Sequence, residues 1–190
     1  MMLADLVLKN RSYRRFYEKH SVDLKILKEL VDLARLSASG GNIQPLKYIL
    51  SCDPGKNGLI FPDLSWAALL PDWPGPDEGE RPSAYIIILG DKEISQSFGC
   101  DHGIAAQTIL LGATERGLGG CIIGTVNREK LRVSLEIPIR FDILLVLALG
   151  KPKERVMIER VDVTGNTRYW RDKEGVHHVP KRSIEDIIIG

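Results

Sequence analysis

Two short segments carry the residue types with a use in chemistry. Arg11-Ser12-Tyr13-Arg14-Arg15-Phe16 gathers guanidinium groups and hydroxyls, with Lys9 and Lys19 close by. Ser39-Gly40-Gly41-Asn42-Ile43-Gln44-Pro45 is a glycine-rich turn whose Asn and Gln both donate and accept hydrogen bonds. The first suits an anion, because arginine offers a planar two-pronged donor that fits phosphate. The second suits the polar edge of a heterocycle, with glycine allowing close approach of backbone. Together they describe a site for a molecule with a phosphate at one end and a polar heterocycle at the other. Read singly, the basic cluster is a solvated face and the Asn is ordinary turn chemistry.

Other signatures fail. Gly117-Leu118-Gly119-Gly120-Cys121-Ile122 resembles a dinucleotide fingerprint, but Ile122 stands where the third glycine belongs. The segment also follows a helical pattern, whereas that fingerprint follows a strand. There is no GxxxxGK[ST] and no GxSxG. His20, His102, His177 and His178 fall in no HExxH, and neighbours in a strand point to opposite faces, so no protein-ligated metal is expected. No carboxylate or histidine constellation suggests acid–base catalysis.

The elements that must position these residues read as follows. Residues 22–35 predict an amphipathic helix with Asp23 as N-cap, Val22 packing on Leu27 as a staple, and Leu24, Leu27, Val31 and Ala34 on one face. Lys47–Cys52 predicts a strand. Residues 53–82 hold six prolines and predict an irregular excursion, a possible lid, with one short helix near Leu64–Leu70. Tyr85–Leu89 and Ile143–Leu149 predict buried strands, and Asp101–Arg116 a helix apolar nearly all round. Gly117–Gly124 predicts a loop, Arg128–Leu135 a short helix, and Thr167–Val179 an exposed hairpin about Asp172-Lys173-Glu174-Gly175. Strands alternating with helices indicate a mixed α/β or α+β layer fold.

Bulk properties narrow the class. The 190 residues, 44% hydrophobic, fit a single domain over 1–190 with one real core. Lys plus Arg number 26 against 25 Asp plus Glu, giving no general attraction for nucleic acid or an acidic membrane. Cys52, Cys100 and Cys121 form no CxxC pair and suit a reducing cytoplasm. No signal peptide is expected, and no apolar run is long enough to cross a bilayer.

In order and content the motifs resemble the nitroreductase family of flavin-dependent oxidoreductases. Arg11, Ser12, Arg14 and Phe16 match its R-S-x-R-x-F start. Ser39, Asn42, Gln44 and Pro45 match its A-P-S-x-x-N-x-Q-P-W turn, with Ala38 in place of proline and Leu46 in place of tryptophan. Asp101, Gly103, Ala105 or Ala106, and Gln107 resemble its D-x-G-x-A-x-Q helix. Gly117, Leu118, Gly119, Cys121 and Gly124 match its G-L-G-x-C-x-x-G segment, followed by Gly150-Lys151-Pro152 and the late Lys181-Arg182.

The resemblance implies an α+β nitroreductase-like fold, with a central, mainly antiparallel mixed sheet flanked by helices. It also implies an intertwined homodimer with FMN at the interface. Carried over residue by residue, the cofactor-binding set is Arg11, Ser12, Tyr13, Arg14, Ala38, Ser39, Gly40, Asn42, Gln44, Cys121, Ile122, Ile123, Gly124, Lys181 and Arg182. Arg11 and Arg182 would take the phosphate, with Lys181 assisting; each hydrogen bond to such a charged group contributes roughly 1.5–3 kcal/mol. Arg14 would sit where reduction leaves negative charge on the flavin, raising its potential. Ser39, Gly40 and Asn42 would come from the second subunit. Cys121–Gly124 would line one flavin face, Cys121 as packing rather than as a nucleophile.

The activity implied is ping-pong reduction of a nitroarene, quinone or similar acceptor by NADH or NADPH. A non-enzymatic FMN sensor or carrier is the alternative from another class. Flavin fragmentation or dehalogenation is the alternative within the fold. Trp66, Trp73, Tyr169 and Trp170 are open as flavin covers or as packing.

Overall fold

The computed structural model describes residues 2–190. Its centre is a four-stranded antiparallel sheet in the order β1-β2-β4-β3, formed by β1 (Leu46–Ser51), β2 (Ala84–Asp91), β4 (Phe141–Gly150) and β3 (Gly119–Ile123). All eight residues of β2 are buried, which is why that strand reads as an unbroken apolar run. Alternate residues feed two cores. Ile86, Ile88, Leu147 and Leu149 meet α2 (Leu24–Arg35) and α4 (Asp101–Glu115) on one side. Tyr85, Ile87, Leu89, Val146 and Ala148 pack on the other with Ile60, Trp66, and Leu131 of α5 (Arg128–Ser134). This is the expected α+β architecture.

A second, three-stranded sheet lies outside this centre in the order β5-β7-β6, from β5 (Val156–Arg160), β6 (Trp170–Arg171) and β7 (His177–Lys181). β6 and β7 form the expected hairpin, while β5 pairs with β7 in parallel. The N-terminal helix α1 (Leu3–Lys9) buries none of its residues. None of the described helices is long and apolar enough to cross a membrane.

Three expectations are corrected. The helix of the Pro-rich excursion is α3 (Pro54–Ile60), not Leu64–Leu70; Asp53 accepts the Lys56 N–H at its start and Pro54 occupies the first turn. On α2 the buried stripe is Leu27, Leu30 and Ala34, and Leu24 is 44% exposed. Gly117–Gly124 is mostly strand rather than loop. Its two central glycines are there for space: a Cβ on Gly119 would lie 2.5 Å from the Tyr13 ring, and one on Gly120 2.5 Å from the Ala148 carbonyl. Arg15 pairs with Glu80 through both Nε and Nη2.

Candidate functional site

The arginine segment runs along the outer edge of β3. Ser12 bridges Gly120 in parallel, and the Tyr13 N–H donates to the Gly120 carbonyl at 3.0 Å. Phe16 is fully buried and its N–H donates to the Glu80 carbonyl, while the Lys153 N–H donates to the Arg15 carbonyl. The segment is thereby pinned between the excursion, β3 and the chain that follows β4.

Glu154 fixes the middle of it. Its side chain is 0% exposed; Oε2 accepts the Arg14 backbone N–H at 2.9 Å and Oε1 accepts Arg171 Nη2 at 2.6 Å. With the carboxylate so occupied, the Arg14 guanidinium is left without an ion pair among the described residues. Its Nη1 lies 3.3 Å from the Ser12 carbonyl and 3.4 Å from His177 Nε2, and its Cζ lies 5.2 Å from the centre of the Tyr169 ring. A guanidinium only donates, so His177 accepts at Nε2 and carries its proton on Nδ1, which is buried without a partner. Burial, and then the neighbouring Arg14 and Arg171 charges, hold the imidazole down at about 4 despite Glu154. It is neutral at physiological pH.

Two clefts meet at Arg14 and Tyr169. One, of about 210 Å³, lies between Ser65–Ala68 and Cys121–Thr125. The other, of about 280 Å³, is lined by Arg11, Ser12, His177, Val179 and Lys181. Arg11 Nη2 donates to the Val7 carbonyl and its Nε is buried unpartnered. Lys181 shares a face of β7 with His177 and Val179 because strand side chains alternate, and Arg182 lies just past the end of that strand. Arg182 is exposed and lines neither cleft. Cys121 is buried, and burial raises its thiol pKa against the lowering effect of Arg14; Ile123 is buried with it, while Ile122 and Gly124 are exposed.

Of the four aromatics left open, two stand at this site. Trp66 and Tyr169 line the clefts, and the Tyr169 hydroxyl accepts the Leu69 N–H, tying the excursion to the second sheet. Trp73 packs under the Arg171 guanidinium and Trp170 stacks on His178. Glu154, Tyr169 and His177 escaped the sequence reading as a cluster with Arg14, since they lie 140 or more residues away along the chain. The only signal was a lone acid, Glu154, in a basic stretch.

The second segment lies elsewhere. Asp101 at the start of α4 accepts from Ser39 Oγ at 2.6 Å and from the Gly40 N–H at 2.9 Å. The Gln44 N–H donates to Ser39 Oγ, and its Nε2 to Asn42 Oδ1. Gly41, Asn42 and Gln44 all have positive φ, which glycine and asparagine accept most readily. Ala38, Ser39 and Gln44 line a cleft of about 230 Å³ beside α2 and α4. This turn precedes β1, at the opposite edge of the sheet from β3, and beside the far end of β2. Three strand spacings put it about 14 Å away across the sheet, and six residues of strand about 20 Å along it. One chain does not bring the two segments together.

Comparisons with known proteins agree with this architecture. The sequence profile of the nitroreductase family matches residues 79–151. A protein of Archaeoglobus fulgidus with the provisional name NADH dehydrogenase/NAD(P)H nitroreductase is 27% identical over 84% of this chain and 91% of its own. A 5,6-dimethylbenzimidazole synthase of Rhodospirillum rubrum is 23% identical over 88% of each chain. The solved structure of an FMN-dependent nitroreductase from Clostridium difficile superposes with a TM-score of 0.65 at 22% identity, covering 80% of this chain and 89% of that one.

Proposed function

We propose that this chain, which has the nitroreductase fold and the family's sequence signature over residues 79–151, is an FMN-dependent oxidoreductase acting as a homodimer. The observation that carries the reading is the unpaired Arg14 guanidinium at the junction of two clefts, with Glu154 holding its backbone N–H and His177 its Nη1.

The residues present fit a phosphorylated aromatic cofactor. Arg11, with a buried Nε lacking any acceptor, and Lys181 line one cleft and offer charge-assisted donors to a phosphate. Trp66, Ile123 and the backbone of β3 line the other, which suits a flat ring. Arg14 stands between, where a fixed cation favours charge that develops on the ring. The chemistry that FMN supplies when bound is acceptance of hydride from NADH or NADPH and its delivery, in a ping-pong cycle, to an electron-poor acceptor such as a nitroarene or quinone. The chain's own part is placement and electrostatics.

The separation of the two segments supports the dimer. Ser39, Gly40, Asn42 and Gln44 reach an Arg14 only if a second copy presents it. Leu3, Val7 and Leu8 of α1, Ile104 of α4, and Ile187–Ile189 are exposed and supply apolar surface for that contact.

The likeness to a synthase favours a second reading, a same-fold enzyme whose chemistry is not acceptor reduction. One experiment separates them. Protein saturated with FMN is followed by its visible spectrum under anaerobic NADH, then NADPH, then air. Bleaching and full recovery support the reductase; bleaching with permanent loss of flavin supports the second reading. Bound flavin that neither nucleotide bleaches means a sensor or carrier, and no binding rejects the site.

A further inference from the structure

A separate cleft of about 320 Å³ opens between residues 18–21, α3 and the start of β2, and shares no lining residue with the two clefts at Arg14. Lys19, Cys52, Phe61, Arg81 and Tyr85 line it. We propose that this cleft binds a small organic carboxylate with an apolar body, gripped by Arg81. The inference is independent of the flavin reading.

Arg81 is the argument. Arg15, Arg116, Arg140 and Arg171 pair with carboxylates, and Arg128 and Arg132 donate to backbone carbonyls. The Arg81 side chain donates to nothing among the described residues, and its Nε is buried. Nε is held out of solvent with no acceptor, an unmet cost that an acceptor brought by a ligand in the cleft would remove. The guanidinium nevertheless rests over the Phe61 ring, with Cζ 4.5 Å from its centre. A planar fork fixed on one face presents its edge to a bidentate partner, which carboxylate matches.

The surroundings set the class of ligand. Lys19 adds a second positive charge at the rim. Glu18 is the opposing acid, but its Oε2 already accepts the backbone N–H groups of Gly79 and Arg81. That contact fixes the Arg81 backbone without using its side chain. Phe61, Pro54, Pro82 and Cys52 supply the apolar part of the walls, with Ser21, Asn57 and Ser83 the polar part. Tyr85 is 1% exposed, and burial raises its pKa, so it remains a phenol donor; its hydroxyl has no partner among the described residues. A volume at the low end of ligand pockets limits the occupant to a small molecule.

The test is an NMR titration with benzoate of protein saturated with FMN and of protein without it, reading the amides of Lys19, Gly79 and Arg81 and the Arg81 Nε–H. The proposal expects saturable shifts at these signals with Kd tighter than about 1 mM, the same with and without flavin. Arg81→Gln should weaken binding at least about tenfold. Arg81→Lys, which keeps the charge but not the fork, should fall between, and both variants should keep the parent's dispersed amide spectrum as evidence of folding. Shifts confined to residues around Arg14, or shifts at Arg81 that survive Arg81→Gln, would overturn it. Inorganic phosphate binding at these signals as tightly as benzoate would overturn the assignment to an apolar-bodied carboxylate.

Discussion

Removing the Glu154 carboxylate should be among the most damaging single changes to this protein. The side chain has no exposure, its Arg171 partner is 15% exposed, and Arg171 Nε is already buried without an acceptor. Glu154→Ala deletes one ion, strands the guanidinium of Arg171 and leaves the Arg14 N–H unmet. Breaking a buried pair from one side costs about 3–5 kcal/mol. In a chain of this length that corresponds to a fall in Tm of about 6–20 °C. Glu154→Gln keeps an acceptor for the Arg14 N–H and should lose less. Replacing Glu154 and Arg171 together by leucine should lose less than Glu154→Ala alone, since no unpaired charge remains. Urea and thermal unfolding of the four proteins at neutral pH reads all of this. A loss below about 1 kcal/mol for Glu154→Ala, the worth of an exposed pair, would refute the view that this carboxylate staples the arginine segment to the second sheet.

Other outcomes follow from the same geometry. Arg14→Ala should weaken FMN binding and lower the bound flavin's midpoint potential, read by fluorescence titration and spectroelectrochemistry; unchanged values would displace Arg14 from the site. Adjacent histidines should act oppositely on stability with pH. His177 is depressed from 6.5 to about 4, so its contribution is full above its ordinary value and falls away as pH drops from 6.5 through 4. His178 is raised by Asp172 and Glu159, so its contribution is present below 6.5 and is lost as pH rises through the raised value. Ring-proton NMR titrations of the two should bracket 6.5 from either side. Gly120→Ala should destabilise by about 1–3 kcal/mol through overpacking, because the new Cβ meets the Ala148 carbonyl at 2.5 Å and Leu110 at 2.7 Å; denaturant unfolding measures it.

What the sequence disclosed depended on which force shapes each element. β2, β4 and α4 were legible because they are buried on most sides, and burial on that scale leaves apolar runs that no surface segment imitates. α3 was not, because Pro-Gly-Lys-Asn-Gly reads as loop by composition; the Asp53 cap and Pro54 were the available signals and propensity masked them. β3 was missed for a related reason. Its glycines signal flexibility in isolation, whereas here they make room for Tyr13 and for the β4 backbone. β5 is half polar and half exposed, with no alternation to detect. Within the site, Arg14 was legible from its local motif. The partners that orient it come from beyond residue 150 and meet it only through tertiary packing.

The bridge between Ser12 and Gly120 has a consequence for solubility. β3 ends the four-stranded sheet, and an open strand edge with an exposed Ile122 is a template on which another chain can add. By lying along that edge and occupying the Gly120 carbonyl, the arginine segment serves as a cover over it. A chain truncated ahead of Phe16 would therefore lose more than ligand affinity: it would expose a growth point, and its failure in the test tube would be precipitation.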